Sequence, residues 1–535
     1  GRTERHITLG KPIGPVDRLS KARRKIIEII SQQGEISMPD LKKQVPSATR
    51  LVRALEKDGF LTVQHKRVYR DPFGEPISAD AAPDLNAEQQ KVVTQVIDRL
   101  GQGFATFLLQ GVTGSGKTEV YMQVAAAVLN QQQSVLVLVP EIALITQMER
   151  RFRARFGERI AVLHSGLSAG ERFDQWSLIL QGKVPIAIGA RSAIFAPFPS
   201  LGLIVVDEEH DASYKQESNL RYNARDLAVV RAKQNNCTAL LGSATPSIQS
   251  YHNAQTDKFI EVNLKRRIQQ RSLPTIKIVD LRESMGYRGT RRFISAELQR
   301  AIKETLDRSE QVLLFINRRG FANFALCQSC GQALRCKYCD ISLTYHQKAN
   351  ALRCHYCGFS RAANISCDSC GSLEIKKIGL GTEKIEATVQ KLFPKACVAR
   401  MDRDTTTRKG SIFKLLKGLN DQSVDILVGT QMVAKGHDFP NITLVGIICA
   451  DLSLSFPDFR AGERTFQLIA QVAGRAGRGA SPGRVILQTY NPDHFSITTA
   501  QDQNFISFYK QEIRFRKMLK YPPLSRMIHL KISGT

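Results

Sequence analysis

Two short stretches of the sequence contain residue types that could bind and split a nucleoside triphosphate. The first, GVTGSGKT, begins at Gly111, and its glycines let backbone N–H groups close around phosphate oxygens at the start of a helix. Lys117 is expected to reach the β- and γ-phosphates, and the hydroxyl of Thr118 is expected to hold Mg²⁺. The phosphate-binding residues predicted here are Gly111, Thr113, Gly114, Ser115, Gly116, Lys117 and Thr118.

The second stretch, LIVVDEEH, ends in adjacent carboxylates. Asp207 could hold the Mg²⁺ together with Thr118, and Glu208 could orient or deprotonate the attacking water. Acids after a strand can also form a plain surface cluster, but the same chain carries the phosphate-binding stretch. We therefore predict that Lys117, Asp207 and Glu208 are catalytic in ATP hydrolysis.

A third stretch, QVAGRAGRG, offers two arginines beside glycines far downstream. An arginine donated across a cleft stabilises charge on the transferred phosphate and contributes ~10³–10⁵ in rate in other enzymes. Taken alone, such a stretch is often a solvated basic turn. With the phosphate-binding stretch present, we predict that Arg475 and Arg478 are catalytic.

Eight cysteines form four C-x-x-C pairs within 44 residues. Eight thiols in a reducing compartment fit two four-sulfur Zn²⁺ sites, while disulfides and iron–sulfur clusters are the alternatives. The 14 residues between Cys339 and Cys354 are close to the spacing of a zinc ribbon. This spacing predicts nested sites: Cys336, Cys339, Cys354 and Cys357 bind one ion, and Cys327, Cys330, Cys367 and Cys370 bind the other. Each ion would be structural, contributing on the order of 10 kcal/mol to folding.

The order of strand-like and helix-like segments predicts an α/β fold with two doubly wound, RecA-like lobes. FATFLLQ, SVLVLVP, VPIAIGA and CTALLGSATPS alternate with helical patterns in a first lobe over residues 85–262. QVLLFINRRG, VDILVGT, ITLVGIICAD and GRVILQTY indicate a second lobe over 263–326 and 377–500. A zinc-binding insertion over 327–376 interrupts it, and we expect it to serve strand separation or partner docking.

Residues 16–72 show three helical patterns followed by hairpin-like strand material, which is a winged-helix order. In the third helix Arg50, Arg53 and Lys57 share a face that could meet a DNA backbone. A protein-docking module or a plain solvated face would show the same spacing. Residues 71–84, rich in Pro, Asp and Ala, are interpreted as a linker.

The charge of the 535-residue chain is unusually positive, with 76 Lys and Arg against 49 Asp and Glu, a net charge of +27. Such an excess favours a polyanionic partner, although a merely basic protein is the alternative. No apolar run approaches the roughly 18 residues that a membrane span requires. We therefore expect no membrane partner and a cytoplasmic, nucleoid-associated protein.

The motifs occur in a fixed order: GVTGSGKT, PEIALITQ, GARSAIF, DEEH, GSATPS, FINRRGF, GTQMVAKGHDFP and QVAGRAGR. This series resembles that of superfamily 2 helicases. With the cysteine insertion between FINRRGF and GTQMVAKGHDFP, the chain resembles the PriA family of bacterial replication-restart helicases. The resemblance assigns ATPase roles to Lys117, Thr118, Asp207, Glu208, Gln471, Arg475 and Arg478 and implies the same nested zinc pairing.

The resemblance also implies roles for residues outside these motifs. Gln89 would contact adenine, and Ser243 and Thr245 would couple the nucleotide state to the grip on DNA. An aromatic-rich loop, SYKQESNLRYNARD, would contact single-stranded DNA through Tyr214, Lys215, Arg221 and Tyr222.

The implied function is that of an ATP-dependent 3′-to-5′ DNA helicase that recognises forked DNA and initiates primosome assembly in replication restart. ATP, Mg²⁺ and two Zn²⁺ would be its cofactors. Forked and single-stranded DNA, single-stranded DNA-binding protein and other primosome proteins would be its partners. The alternatives are a duplex DNA translocase, or a DNA-structure-binding primosome scaffold with incidental ATPase. We also expect a helicase-core fragment in which 501–535 begins a truncated C-terminal domain.

Overall fold

A computed structural model describes the chain apart from residues 1, 12–18, 71, 74, 75, 219, 269–273, 284–292, 318–323, 328, 331, 339–341, 347, 348, 355, 356, 364, 379, 380, 403, 404, 406–410, 435–438, 440, 455, 457, 478–481 and 529–535. The chain divides into two compact units. One comprises Gly1–Ala82, Val128–Ile204 and Ser213–Leu227, and the other comprises Pro83–Ala127, Val205–Ala212 and Ala228–Thr535. Among the described residues, none of the helices has the length and apolar character to cross a lipid bilayer.

The N-terminal region is a three-stranded antiparallel sheet packed against three helices. Its elements are β1 (Arg2–Leu9), α1 (Lys21–Gln33), β2 (Glu35–Ser37), α2 (Met38–Gln44), α3 (Ala48–Lys57) and β3 (Leu61–Val68). The strand order is β2-β1-β3. Aliphatic side chains from both layers form its core, among them the buried Ile7, Ile26, Ile30, Leu41 and Leu55.

The three predicted helices of this region are present, but the predicted hairpin is wrong. Strand β3 is continuous, and it pairs with β1 from Arg2↔Val68 to Leu9↔Leu61. The sheet therefore includes residues before 16, where the predicted domain begins. Charged residues interrupt the alternation of RTERHITL, so this strand gives a weak signal without its partner.

The first large sheet has seven strands in the order β10-β4-β9-β8-β5-β7-β6. The strands are β4 (Ala105–Gly111), β5 (Ser134–Leu138), β6 (Ile160–Leu163), β7 (Ile186–Gly189), β8 (Leu201–Val206), β9 (Thr238–Ser243) and β10 (Ile260–Leu264). The helices are α4 (Ala87–Ile97), α5 (Lys117–Asn130), α6 (Ile142–Phe156), α7 (Ala169–Leu180), α8 (Ala224–Gln234) and α9 (Ile248–Gln255). Short 3₁₀ helices span Arg191–Phe195 and Ala212–Tyr214. Several strands are continuous runs of buried residues, as in parallel sheets covered on both faces.

The second large sheet has six parallel strands in the order β11-β21-β20-β12-β19-β18. Its strands are β11 (Thr275–Asp280), β12 (Gln311–Phe315), β18 (Val398–Met401), β19 (Ile426–Gly429), β20 (Ile442–Ile447) and β21 (Arg484–Thr489). The helices are α10 (Ala296–Asp307), α11 (Thr382–Leu392), α12 (Ser411–Asn420), α13 (Gln431–Ala434), α14 (Asp451–Leu454), α15 (Ala461–Ala473), α16 (Phe495–Gln501) and α17 (Phe505–Met518).

A smaller antiparallel sheet interrupts the second lobe between β12 and β18. It contains β13 (Phe324–Cys327), β14 (Thr344–His346), β15 (Ala351–Arg353), β16 (Ser360–Ala362) and β17 (Ile375–Ile378), in the order β16-β15-β14-β13-β17. All eight cysteines of the C-x-x-C pairs lie within or beside this sheet in the sequence. The two parallel sheets confirm the predicted α/β fold with two RecA-like lobes. The detailed domain limits remain a prediction.

Candidate nucleotide site and zinc centres

The phosphate-binding stretch joins the end of β4 to the start of α5, as the sequence predicts. Gly114 and Gly116 adopt φ angles of 83° and 85°, a region that side-chain-bearing residues rarely enter. A Cβ on Gly116 would lie 2.2 Å from Nε2 of Gln89. The hydroxyl of Ser115 is buried and has no hydrogen-bond partner among the described residues. A glycine-shaped loop with an unused buried hydroxyl fits a bound triphosphate.

Lys117 begins α5 at the end of this loop, and Asp207 directly follows β8. Nζ of Lys117 donates to the carbonyl oxygen of Gly111 at 2.8 Å, and the hydroxyl of Tyr121 donates to Oδ1 of Asp207 at 2.9 Å. Burial and the neighbouring Glu208 raise the pKa of Asp207 to about 6, and the Lys117 ammonium opposes this rise. A bound cation would stabilise the ionised form of this buried carboxyl and neutralise its negative charge.

Glu208 is held in an unusual backbone conformation. Its φ is 45°, a left-handed value that is uncommon for residues other than glycine and often marks functional sites. Its Oε2 atom is buried without a hydrogen bond among the described residues and lies 3.6 Å from Nδ1 of His210. A carboxylate oxygen with spare accepting capacity fits the predicted role of orienting a water.

His210 joins three motifs that are distant in the sequence. Nδ1 lies 2.7 Å from Oγ of Ser243, at the end of β9. Nε2 lies 3.0 Å from Nε2 of Gln471, on α15. Since the Gln471 amide nitrogen is a donor, Nε2 accepts, and the Nδ1 proton goes to Ser243. Oγ of Ser243 also accepts from the N–H of Thr245 at 3.0 Å. Sequence reasoning assigned no role to His210, although its place at the end of DEEH was a usable signal.

The end of α15 lies beside the phosphate-binding loop. A Cβ on Gly474 would lie in van der Waals contact with Oγ1 of Thr113, at 3.4 Å, so this end of the helix lies against the loop. Arg475, the next residue, is half-buried. Arg475 therefore follows a glycine that lies beside the phosphate-binding loop. The other predicted arginine, Arg478, lies outside the described residues.

Gln89 is a buried neighbour of the phosphate-binding loop. It is 4% exposed, and its Nε2 donates to the carbonyl oxygen of Ser115 at 3.1 Å. Its backbone N–H and side-chain oxygen complete a capping box with Asn86 at the start of α4. These contacts position Gln89 at the loop, and its contact with adenine stays a prediction.

The cysteine sulfur atoms gather in two groups. Cys327, Cys330, Cys367 and Cys370 form one group, and Cys336, Cys354 and Cys357 form the other, with the ligand atoms of each group within 4.8 Å of one another. The sulfur atoms of Cys327 and Cys370, and those of Cys330 and Cys367, are 3.6 Å apart. The sulfur atoms of Cys336 and Cys357 are 3.5 Å apart. This grouping follows the nested pairing, and Cys339 lies outside the described residues.

The backbone around these groups has the form of zinc knuckles. The N–H of Gly358 donates to the carbonyl of Cys354, and that of Gly371 donates to the carbonyl of Cys367. Both glycines have positive φ angles, 77° and 71°, which tighten the turn after each cysteine pair. Four thiolates bound tetrahedrally at about 2.3 Å would have sulfur atoms about 3.8 Å apart. The observed sulfur separations therefore fit Zn²⁺.

The predicted DNA-contacting loop contains one residue that cannot stack on DNA. Tyr214 is 1% exposed, and its hydroxyl donates to the carbonyl oxygen of Leu138 at 3.0 Å, so its prediction as a stacking residue was wrong. Arg191 holds the loop by donating to the carbonyl oxygens of Ser213 and Lys215 at 3.0 and 2.7 Å. The Lys215 and Arg221 side chains are exposed.

The two remaining residues predicted to contact DNA or couple to it differ in exposure. The Tyr222 ring is half-buried and packs edge-on against Phe195, with ring centroids 5.1 Å apart. Thr245 is buried, and its carbonyl oxygen accepts from Gln467 of α15. Thr245 therefore contacts the helix that carries Gln471, as a coupling role requires.

Curated relatives match most of the chain. It is 43% identical over 499 residues to the replication restart protein PriA of Bacillus subtilis. The aligned region covers 92% of this chain and 62% of that protein. Synechocystis PriA is 45% identical over 526 residues, and the aligned region covers 96% of this chain and 62% of that protein. Rickettsia conorii PriA is 43% identical over 456 residues, and the aligned region covers 85% of this chain and 69% of that protein. The chain belongs to the PriA family.

Three family models match along the chain. A DEAD/DEAH box helicase domain matches residues 86–254, and a helicase conserved C-terminal domain matches residues 376–480. The Cys-rich region domain of PriA DNA helicase matches residues 336–361, inside the insertion. The chain spans about 62% of the length of the Bacillus subtilis and Synechocystis PriA proteins.

Proposed function

We propose that this chain is the ATP-driven motor of a replication-restart DNA helicase, which moves 3′ to 5′ and separates the strands of forked DNA. The observation that carries the proposal is the contact of His210 with both Ser243 and Gln471. It links the acidic motif, the end of β9 and the helix that leads to the arginines. An ATPase whose hydrolysis changes the relation between two lobes needs such a link.

ATP would be held by the loop between β4 and α5. Lys117 would leave the Gly111 carbonyl to bind the β- and γ-phosphates, and Thr118 and Asp207 would hold Mg²⁺, which neutralises phosphate charge. Glu208 would orient the attacking water. Arg475 would approach from α15, and the predicted Arg478 would add a second guanidinium to stabilise the transferred phosphate.

His210 would report the state of this site to the rest of the motor. Its neighbour Glu208 would act on the water, while its own ring holds Ser243 and Gln471. Any shift of Glu208 during hydrolysis would therefore move both partners of His210. Ser243 and Thr245 would transmit that shift to the segment after β9, and this is the proposed coupling to the grip on DNA.

The DNA contacts would be electrostatic and aromatic. Exposed Lys215 and Arg221 are suited to phosphate contacts, and Tyr222 keeps part of its ring accessible for stacking. In the N-terminal region the exposed Arg50, Arg53 and Lys57 of α3 form a second basic face. The net charge of +27 supports a polyanionic partner.

The two zinc centres would be structural, because four cysteines would fill the coordination of each ion in the predicted pairing. The insertion that they stabilise would engage the fork or a protein partner. Single-stranded DNA-binding protein and other primosome proteins are proposed as partners, and a location at the nucleoid follows. These proposals rest on the family membership.

Strand displacement tests the function directly. Wild-type protein with ATP is expected to unwind a fork with a 3′ single-stranded loading strand and to leave the 5′ counterpart paired. Lys117→Ala should abolish unwinding while DNA binding persists, and Lys91→Ala, at an exposed lysine of α4, should be neutral. ATP hydrolysis with movement on duplex but without unwinding would favour the duplex translocase. Primosome assembly that survives Lys117→Ala would favour the scaffold.

A further inference from the structure

Helix α17 carries a buried arginine between two buried glutamates. Nη2 of Arg516 donates to Oε2 of Glu463 at 2.6 Å, and Nε donates to Oε1 of Glu512 at 2.8 Å. Its third nitrogen, Nη1, donates to the carbonyl oxygen of Pro522 at 3.1 Å. The three charged residues are at most 6% exposed. Each nitrogen of the guanidinium thus donates a hydrogen bond, and loss of Arg516 would leave two buried carboxylates without a positive partner.

The second carboxylate oxygen of Glu463 reaches a different element. Oε1 accepts from the N–H of Ile248, the first residue of α9, at 2.9 Å. One turn along α15, Nε2 of Gln467 donates to the carbonyl oxygens of Thr245 and Pro246, both at 3.3 Å. Helix α15 therefore binds both N–H and C=O groups of the segment that follows β9.

The first turn of α9 is also held from the acidic motif. One oxygen of Glu209 accepts from the N–H of Ser247 at 2.6 Å, and the other accepts the hydroxyls of Ser247 and Ser250 at 3.1 and 2.7 Å. Glu209 directly follows Glu208 in the chain. Two carboxylates, one beside the nucleotide motif and one on α15, thus fix the same turn.

Helix α17 contacts α9 as well as α15. The ring of Tyr251 on α9 packs edge-on against Phe505 and Tyr509, with centroids 5.0 and 4.7 Å apart. The hydroxyl of Tyr509 lies 3.0 Å from Nδ1 of His252. Arg516 therefore lies on a helix, α17, that packs against α9. Through Glu463 it also sets the position of α15 relative to α9.

We propose that Glu463 and Arg516 are positioning residues for ATP hydrolysis, an inference that rests on the proposed function. Arg516 orients the carboxylate of Glu463, which keeps α15 in register with the first turn of α9. Their hydrogen bonds go to Ile248, Glu512 and Pro522 rather than to the phosphate-binding loop. Ground-state nucleotide binding is then unaffected by their loss, whereas α15 presents its catalytic residues out of line in the transition state.

The test compares Arg516→Met and Glu463→Gln with Arg514→Met, which removes an exposed arginine from the same helix. Hydrogen exchange at the Ile248 amide is measured without nucleotide, and ATP hydrolysis is measured with saturating forked DNA. For the first two variants we expect amide exchange at least about tenfold faster, kcat about tenfold lower and the KM for ATP within about twofold of wild type. Arg514→Met should match wild type in every quantity.

Wild-type exchange at Ile248 and wild-type kcat in Glu463→Gln would overturn the inference. So would a rise in KM as large as the fall in kcat, since that would show damage to the binding site itself. If Arg516→Met fails to fold, Glu463→Gln decides, because it preserves the size of the side chain and removes the carboxylate charge that pairs with Arg516. Failure of wild type and Arg514→Met to hydrolyse ATP would instead contradict the proposed function, and the exchange measurement would still test the contact.

Discussion

His210 is the residue at which the acidic motif, strand β9 and helix α15 meet. Its two ring nitrogens are both engaged, one by Ser243 and one by Gln471. Each partner comes from a motif that would respond to the nucleotide. A single imidazole thus contacts a residue 33 positions away and another 261 positions away in the chain.

The variant His210→Ala tests this connection. Because the ring would touch neither phosphate nor metal, we expect the KM for ATP to stay within about twofold while DNA-stimulated kcat falls by roughly 10- to 100-fold. His65→Ala, at an exposed histidine of β3, is the control. Steady-state ATPase kinetics provide the measurement, and an unchanged kcat in His210→Ala would remove the proposed coupling role.

A second histidine, His494, should make stability depend on pH. Burial, with a contribution from Arg335, lowers its pKa from 6.5 to about 4, and its Nδ1 accepts the Ser496 N–H at the start of α16. Above pH 6.5 both folded and unfolded states are neutral here. As the pH falls from 6.5 towards 4 the unfolded state binds the proton first, so the free energy of unfolding decreases by roughly 3 kcal/mol.

The variant His494→Asn keeps a capping side chain and removes this titration. Between pH 7 and 4.5 the thermal midpoint of wild type should fall further than that of the variant. Thermal unfolding followed by circular dichroism gives the comparison. Parallel curves for the two proteins across this range would exclude a buried neutral His494.

At the scale of elements, the strands and loops that bear the motifs were predictable from sequence. Gly-rich turns and apolar runs such as LIVV indicate loops and buried strands from the local sequence alone. The C-x-x-C spacing predicted the nested grouping of the sulfur atoms. Contacts made by tertiary packing were not predictable. Tyr214 has an aromatic ring of the kind that stacks on bases, but its hydroxyl donates to the buried carbonyl oxygen of Leu138. The strand β1 is defined by its partner rather than by its own pattern.

The insertion is an element whose metal content can be separated from catalysis. Replacing Cys336 by Ser removes one ligand of the second sulfur group, so bound zinc should fall from two ions to about one per chain. ATP hydrolysis should persist because the nucleotide motifs lie outside the insertion, whereas unwinding of forked DNA should be lost. Zinc by atomic emission and the two assays on one preparation provide the measurement. Equal losses of ATPase and unwinding would contradict a separate role for the insertion.

At the scale of the whole molecule, charge and architecture act together. Two RecA-like lobes bring acids, a lysine and an arginine-bearing helix to the phosphate-binding loop, and a net charge of +27 favours a polyanion. Binding through phosphate contacts releases counterions and weakens steeply as salt rises. DNA should therefore activate hydrolysis, and the activation should be salt-dependent.

The most direct test is the ATPase rate of wild type and Lys117→Ala, with and without forked DNA, at about 50 and 200 mM salt. We predict hydrolysis by wild type that forked DNA stimulates, stimulation that weakens strongly at the higher salt, and no hydrolysis by Lys117→Ala. Zinc-loaded wild-type protein that fails to hydrolyse ATP beside forked DNA, or full activity in Lys117→Ala, would contradict a DNA-activated motor at this site.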